Sequence, residues 1–121
     1  MTILEGYFAK IKDYPEDELK LCVASSYPFF VKSDKMIHYP SLAPSLRLLR
    51  EYKASDITWE QYTDRFKDEM KRQGVSWQNL VQLKEISTEG NAIRLLCWEK
   101  AEDKRCHRFL LLDILSSMEE K

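Results

Sequence analysis

The chain has 121 residues, enough for one domain and too short for two of ordinary size. Hydrophobic residues make up 44% and charged residues 32%, the balance of a globular chain and not of a disordered one. Nineteen basic and twenty acidic side chains leave a formal charge of -1, which excludes a generally basic nucleic-acid binder while leaving room for a local basic patch. Three cysteines without regular spacing make no disulfide framework. No apolar run approaches the roughly 20 residues of a membrane span. Met1-Thr2-Ile3-Leu4-Glu5 lacks the basic and apolar regions of a secretory signal. These features predict a reduced, cytoplasmic, single-domain protein with no membrane contact.

The run Ile3 to Ile11 is short enough for a strand, and Asp13 to Glu18 reads as a turn or a single helical turn. Leu19 to Ala24 forms a second strand, ended by Ser25-Ser26-Tyr27-Pro28, because proline cannot donate to a ladder. No period holds from Phe29 to Ser41. A connection of that length inside a compact domain often carries function, and this one holds aromatics, His38, Lys32 and Lys35. Pro44 suits a first helical turn, and Ser45 to Lys53 places Leu46, Leu48, Leu49 and Tyr52 at helical spacing.

Thr58-Trp59-Glu60-Gln61 fits a capping box, followed by the stripe Trp59, Tyr62, Phe66 and Met70, which reads as core. Gly74 is expected to close that helix, and Ser76 to cap a third one that buries Trp77, Leu80, Val81 and Leu83. Gly90-Asn91 is a turn, and Ala92 to Trp98 is the clearest strand in the chain. Glu99 to Lys104 is a charged loop in which Asp103 suits a cap, and the last helix spans Cys106 to Met118. Strands separated by helices predict a single compact α/β domain with a small, mostly parallel sheet flanked by about four helices. The first two strands lie close in sequence, which leaves their relative direction open.

The segment Cys97 to Arg108 is the strongest candidate for chemistry. It joins the carboxyl end of a core strand to the amino end of a helix, the edge where open α/β sheets bind ligands. A helix start offers unpaired N–H groups and positive potential, to which His107 and the planar fork of Arg108 add fixed donors. On this reading Arg108 binds an anion, Glu99 orients it or acts as a base, and His107 moves a proton. Cys106, near the helix start and beside His107, has the inventory of a thiolate nucleophile for a phosphoryl or acyl centre. Cys97, Ser26, Tyr39 and Ser45 complete the expected ligand cleft. The opposing reading pairs Arg108 with Glu99, Glu102 or Asp103 and makes the turn a staple.

Cys97, Cys106, His107 and His38 have zinc-ligand chemistry, but their spacing matches no finger or ribbon, so no metal is expected. The absence of a glycine-rich phosphate loop excludes nucleotide binding of the Walker or Rossmann type, and no cofactor is implied. Tyr27, Phe29, Phe30 and Tyr39 fit either a stacking platform or a loop folded onto the core.

Two separated motifs resemble the family called domain of unknown function 488. One is Tyr39-Pro40-Ser41-Leu42-Ala43-Pro44-Ser45 with Leu48-Leu49, Tyr52-Lys53, Trp59 and Tyr62. The other is Leu95-Leu96-Cys97-Trp98-Glu99 followed by Cys106-His107-Arg108. The resemblance implies a compact α/β domain and prescribes no reaction. It maps the family's cysteine-histidine-arginine turn onto Cys106, His107 and Arg108, and its strand-end motif onto Cys97 and Glu99. Relatives often carry an arginine after the second strand, where this chain has Ser25-Ser26. Together these readings point to a phosphate-bearing ligand, a nucleotide or nucleic acid, with hydrolase or transferase activity as its extension. The alternative is a non-catalytic interaction or accessory protein.

Overall fold

The computed structural model describes residues 2–98 and 105–118. Glu99, Glu102 and Asp103, and the roles expected of them, lie outside the described residues. Among the described residues four strands form one all-parallel sheet: β1 (Thr2–Tyr7), β2 (Leu19–Cys22), β3 (Ile37–His38) and β4 (Ala92–Cys97), in the order β1-β4-β2-β3. Four α-helices accompany it: α1 (Leu46–Lys53), α2 (Trp59–Arg72), α3 (Gly74–Thr88) and α4 (His107–Ser117). The domain is therefore α/β, with helices α3 and α4 packed on β1 and β4.

The direction left open by the sequence is parallel for β1 and β2, which are not neighbours: β4 lies between them. A 3₁₀ helix at Phe8–Asp13 and a turn carry the chain across, so the first apolar run is half strand and half 3₁₀ helix. Side chains alternate along a strand. On β4, Ile93, Leu95 and Cys97 share one face, while Arg94 and Leu96 point to the other. The second face is covered by the crossover itself. Arg94 spans it, donating from Nε to Glu18 Oε1 at 2.6 Å, from Nη2 to Glu18 Oε2 at 2.7 Å and from Nη1 to the Glu5 carbonyl at 2.6 Å. Its guanidinium carbon lies 4.0 Å from the centroid of the Tyr14 ring.

That ring explains Gly6. A Cβ added there would come within 2.6 Å of Tyr14 Oη, and Tyr14 cannot swing aside freely, because its hydroxyl accepts from Tyr7 N at 3.2 Å and its face meets Arg94. Gly6→Ala is expected to cost about 1–3 kcal/mol by overpacking. A urea midpoint unchanged from wild type would show that Tyr14 yields without cost.

The capping box of α2 forms as expected, with Thr58 Oγ1 accepting from Gln61 N at 3.1 Å and Gln61 Oε1 from Thr58 N at 2.8 Å. Tyr62, Phe66 and Met70 are buried, so the stripe is core. The α2–α3 boundary differs from expectation. Gly74 does not close α2; it is the first residue of α3, and the chain turns at Gln73, which keeps an extended backbone and serves both helices as cap. Ser76 therefore lies inside α3. It is buried, and its hydroxyl donates to the Ser41 carbonyl at 2.5 Å, tying α3 to the turn before α1. Val81 is exposed instead of buried. Gly90, at φ +98, makes the expected turn into β4 in a conformation that suits glycine.

Candidate active site

Strand β4 ends at Cys97 and α4 begins at His107, with Cys106 as its N-terminal cap residue. Cys97 is on the β4 face that looks toward α4, and this brings together side chains ten residues apart in sequence. Cys97 Sγ lies 4.0 Å and Cys106 Sγ 3.8 Å from His107 Nδ1. The two sulfurs and this nitrogen all fall within 4.8 Å of one another. Cys97, Cys106 and His107 are only 3%, 5% and 7% exposed.

The other imidazole nitrogen fixes the proton inventory. His107 Nε2 sits 2.7 Å from the carbonyl oxygen of Val23, just beyond the end of β2. A carbonyl can only accept, so Nε2 carries a hydrogen and donates it. The ring then turns its Nδ1 edge toward both cysteine sulfurs. Phe66 of α2 packs edge-on against the ring, with centroids 5.8 Å apart, and holds its plane.

Arg108 is 1% exposed. Its Nε donates to Glu5 Oε1 at 3.0 Å, its Nη1 approaches Cys106 Sγ at 3.6 Å, and its guanidinium carbon lies 4.8 Å from the Phe109 ring centroid. The expected open anion grip is not what this side chain presents. The fork is enclosed by β1, α4 and the ring beside it, and among the described residues it meets the Glu5 carboxylate and the Cys106 sulfur.

These donors converge on one sulfur. The thiol of Cys97 hydrogen-bonds to Cys106 and is the largest influence holding its pKa down to about 3. Burial opposes this, while His107 and the backbone N–H of Arg108 reinforce it. Cys22 shows the contrast: burial pushes its thiol up and outweighs the single backbone hydrogen bond, at Ala24, that pulls it down. Of the three cysteines, Cys106 is thus the one whose surroundings favour the thiolate.

The remaining expected residues divide. His38 stands at the end of β3, but its Nε2 pairs with the Ala24 carbonyl at 2.9 Å and its ring meets Tyr27, so it is not one of the sulfur-facing groups. Ser26 is exposed after β2, and its carbonyl accepts from Cys22 Sγ at 3.7 Å. Tyr39 is half-buried, and its backbone N–H donates to the Cys22 carbonyl at 2.8 Å. Ser26 and Tyr39 therefore follow the carboxyl ends of β2 and β3, the same sheet edge as Cys97. Ser45 belongs elsewhere: it caps α1 by accepting from Leu48 N and donates from N and Oγ to the Glu69 carboxylate of α2 at 2.9 and 2.5 Å. Phe29 is 94% exposed, and its ring touches Phe30, which in turn touches Trp98.

Two contributors escaped the sequence reading. Glu5 left a faint signal, a charge inside an apolar strand. Val23 left none, since it acts through a backbone carbonyl that any residue would supply.

Residues 7–119 match a family model, DUF488-N3a, described as the active DUF488-N3 subclade. No curated protein and no solved structure matches the chain.

Proposed function

The chain belongs to the DUF488-N3a family, and on that premise we propose that it is a cysteine-dependent hydrolase or transferase whose nucleophile is the Cys106 thiolate. The single observation that carries this reading is the hydrogen bond from His107 Nε2 to Val23, which turns Nδ1 toward Cys106. A nucleophile, a base within reach of it and a third group orienting the base make up the general arrangement of covalent catalysis. Here a backbone carbonyl is the orienter. Cys97 donates to the thiolate, and Arg108 balances its charge from the Glu5 side. Both are positioning residues. The family's description as an active subclade supports a working centre.

The reaction class is displacement at a phosphoryl or acyl centre. The Cys106 thiol proton passes to His107 Nδ1, the sulfur bonds to the electrophilic atom as the bond to the leaving group breaks, that group departs with the proton from Nδ1, and water or an acceptor then displaces the sulfur to release the product. The positive end of α4 beside the sulfur favours an anionic substrate, and a phosphate-bearing nucleotide or nucleic acid fits that preference.

Iodoacetamide at neutral pH on the reduced protein freed of metal by a chelator, followed by peptide mass mapping, tests the nucleophile. Cys106 is expected to be carboxamidomethylated before Cys22 and Cys97. His107→Ala should slow it by about tenfold or more, given the usual contribution of a positioned base. A stoichiometric burst of nitrophenolate from p-nitrophenyl phosphate or acetate, lost in Cys106→Ser, identifies the electrophile. Labelling of Cys106 no faster than Cys22 would refute the reading.

A further inference from the structure

We propose that Cys97, Cys106 and His107 form a binding site for one thiophilic dication, zinc foremost, and that the metal-bound form is the resting form of the centre. This rests on the same side chains as the nucleophile reading but not on their reactivity. In a tetrahedral zinc site, Zn–S bonds of about 2.3 Å and Zn–N bonds of about 2.0–2.1 Å hold ligand atoms about 3.5–3.8 Å apart. The separations of 4.0 and 3.8 Å between His107 Nδ1 and the two sulfurs lie a few tenths of an ångström from that geometry. The sulfurs themselves lie within 4.8 Å of each other. Three corners of a tetrahedron are thus nearly in place.

The surroundings fit a metal as well. A ligating imidazole usually donates its other N–H to a carbonyl or carboxylate, which fixes the ring and raises its basicity; His107 does this to Val23. Two thiolates cancel the charge of a dication, and Arg108 Nη1, 3.6 Å from Cys106 Sγ, approaches the sulfur as a donor. Soft sulfur with imidazole selects zinc or cobalt over magnesium and calcium. The described residues supply three ligands and leave a fourth corner of the tetrahedron open to a further donor, and a thiolate bound to zinc has its attacking lone pair engaged. His38 and Cys22 are outside the set, each turned to main-chain carbonyls.

Titration of the metal-free, reduced protein with cobalt(II) tests the site. Expected are thiolate-to-cobalt charge-transfer bands and the strong visible absorption of tetrahedral cobalt, saturating at one ion per chain and abolished by zinc. Cys22→Ser should retain the bands, and Cys97→Ser and Cys106→Ser should lose them. Zinc-edge X-ray absorption on the wild-type protein needs no variant and should report two sulfurs and an imidazole nitrogen. A shell of oxygen and nitrogen alone, or no cobalt bands, overturns the proposal. Rapid labelling of Cys106 without cobalt bands would leave the nucleophile standing and remove the metal; bands with unreactive Cys106 would do the reverse.

Discussion

Arg94→Leu is expected to destabilise the domain by about 3–5 kcal/mol, the range for breaking a buried ion pair from one side. The Glu18 side chain is only 4% exposed and both its oxygens are held by Arg94, so the variant leaves a carboxylate with little access to water. It also removes the donor to the Glu5 carbonyl and the cation over Tyr14. The Arg94 guanidinium holds the Glu18 carboxyl below the usual carboxylate range, against the opposing pull of burial. A depressed folded-state pKa contributes stability that is present above the unfolded value, about 4.3 for Glu, and lost as pH falls through the folded one. Urea midpoints should thus be level on this account above about pH 5 and fall with acid. Glu18→Gln should flatten that acid limb. A limb equally steep in the variant would assign the acid sensitivity to other carboxylates.

This pair also marks where sequence reading stops. Strands β2 and β4, the capping box and the Tyr62/Phe66/Met70 stripe were legible because each is local: a short apolar run, a four-residue signature and a period of three to four residues are written within one element. Glu18 and Arg94 lie 76 residues apart and meet only because β4 inserts between β1 and β2. Strand β3 consists of Ile37 and His38 alone, too few residues to show any period. Gly74 and Ser76 carry ordinary boundary signals, yet their parts are set by tertiary needs: a tight helix–helix turn at Gln73 and a buried hydroxyl for the Ser41 carbonyl. At the site, the strand-end cysteine and the cysteine-histidine-arginine turn were visible as neighbours of a ligand edge. Which sulfur each nitrogen faces depended on Val23 and Glu5, on two other strands. The sequence leaves Arg108 divided between an anion grip at a helix start and a paired staple, because a buried arginine is recognisable only once its partners are placed.

Arg108→Met should lower both the stability of the fold and the reactivity of Cys106, and the coupling of the two is the informative result. Removing the guanidinium costs the Glu5 carboxylate its partner. Glu5, 40% exposed, keeps much of its hydration, so the loss is about 2–3 kcal/mol, less than for Arg94. The Cys106 sulfur loses the Nη1 donor at 3.6 Å while keeping Cys97, His107 and the Arg108 backbone N–H. Its alkylation rate, read in acid where the thiol begins to reprotonate, is therefore expected to fall several-fold without vanishing. Glu5→Gln separates the two effects, since it weakens the ion pair but leaves the guanidinium beside the sulfur. It should lower the melting temperature with little change in labelling. Were Arg108 only a staple between α4 and β1, both variants would lose stability alike and neither would change the sulfur. Were it instead the grip on a bound phosphate, Arg108→Met would abolish protection of Cys106 by inorganic phosphate while leaving its intrinsic labelling rate unchanged. The enclosed guanidinium, shared between a carboxylate and a thiolate, predicts neither of these outcomes: stability and labelling fall together in Arg108→Met and part in Glu5→Gln.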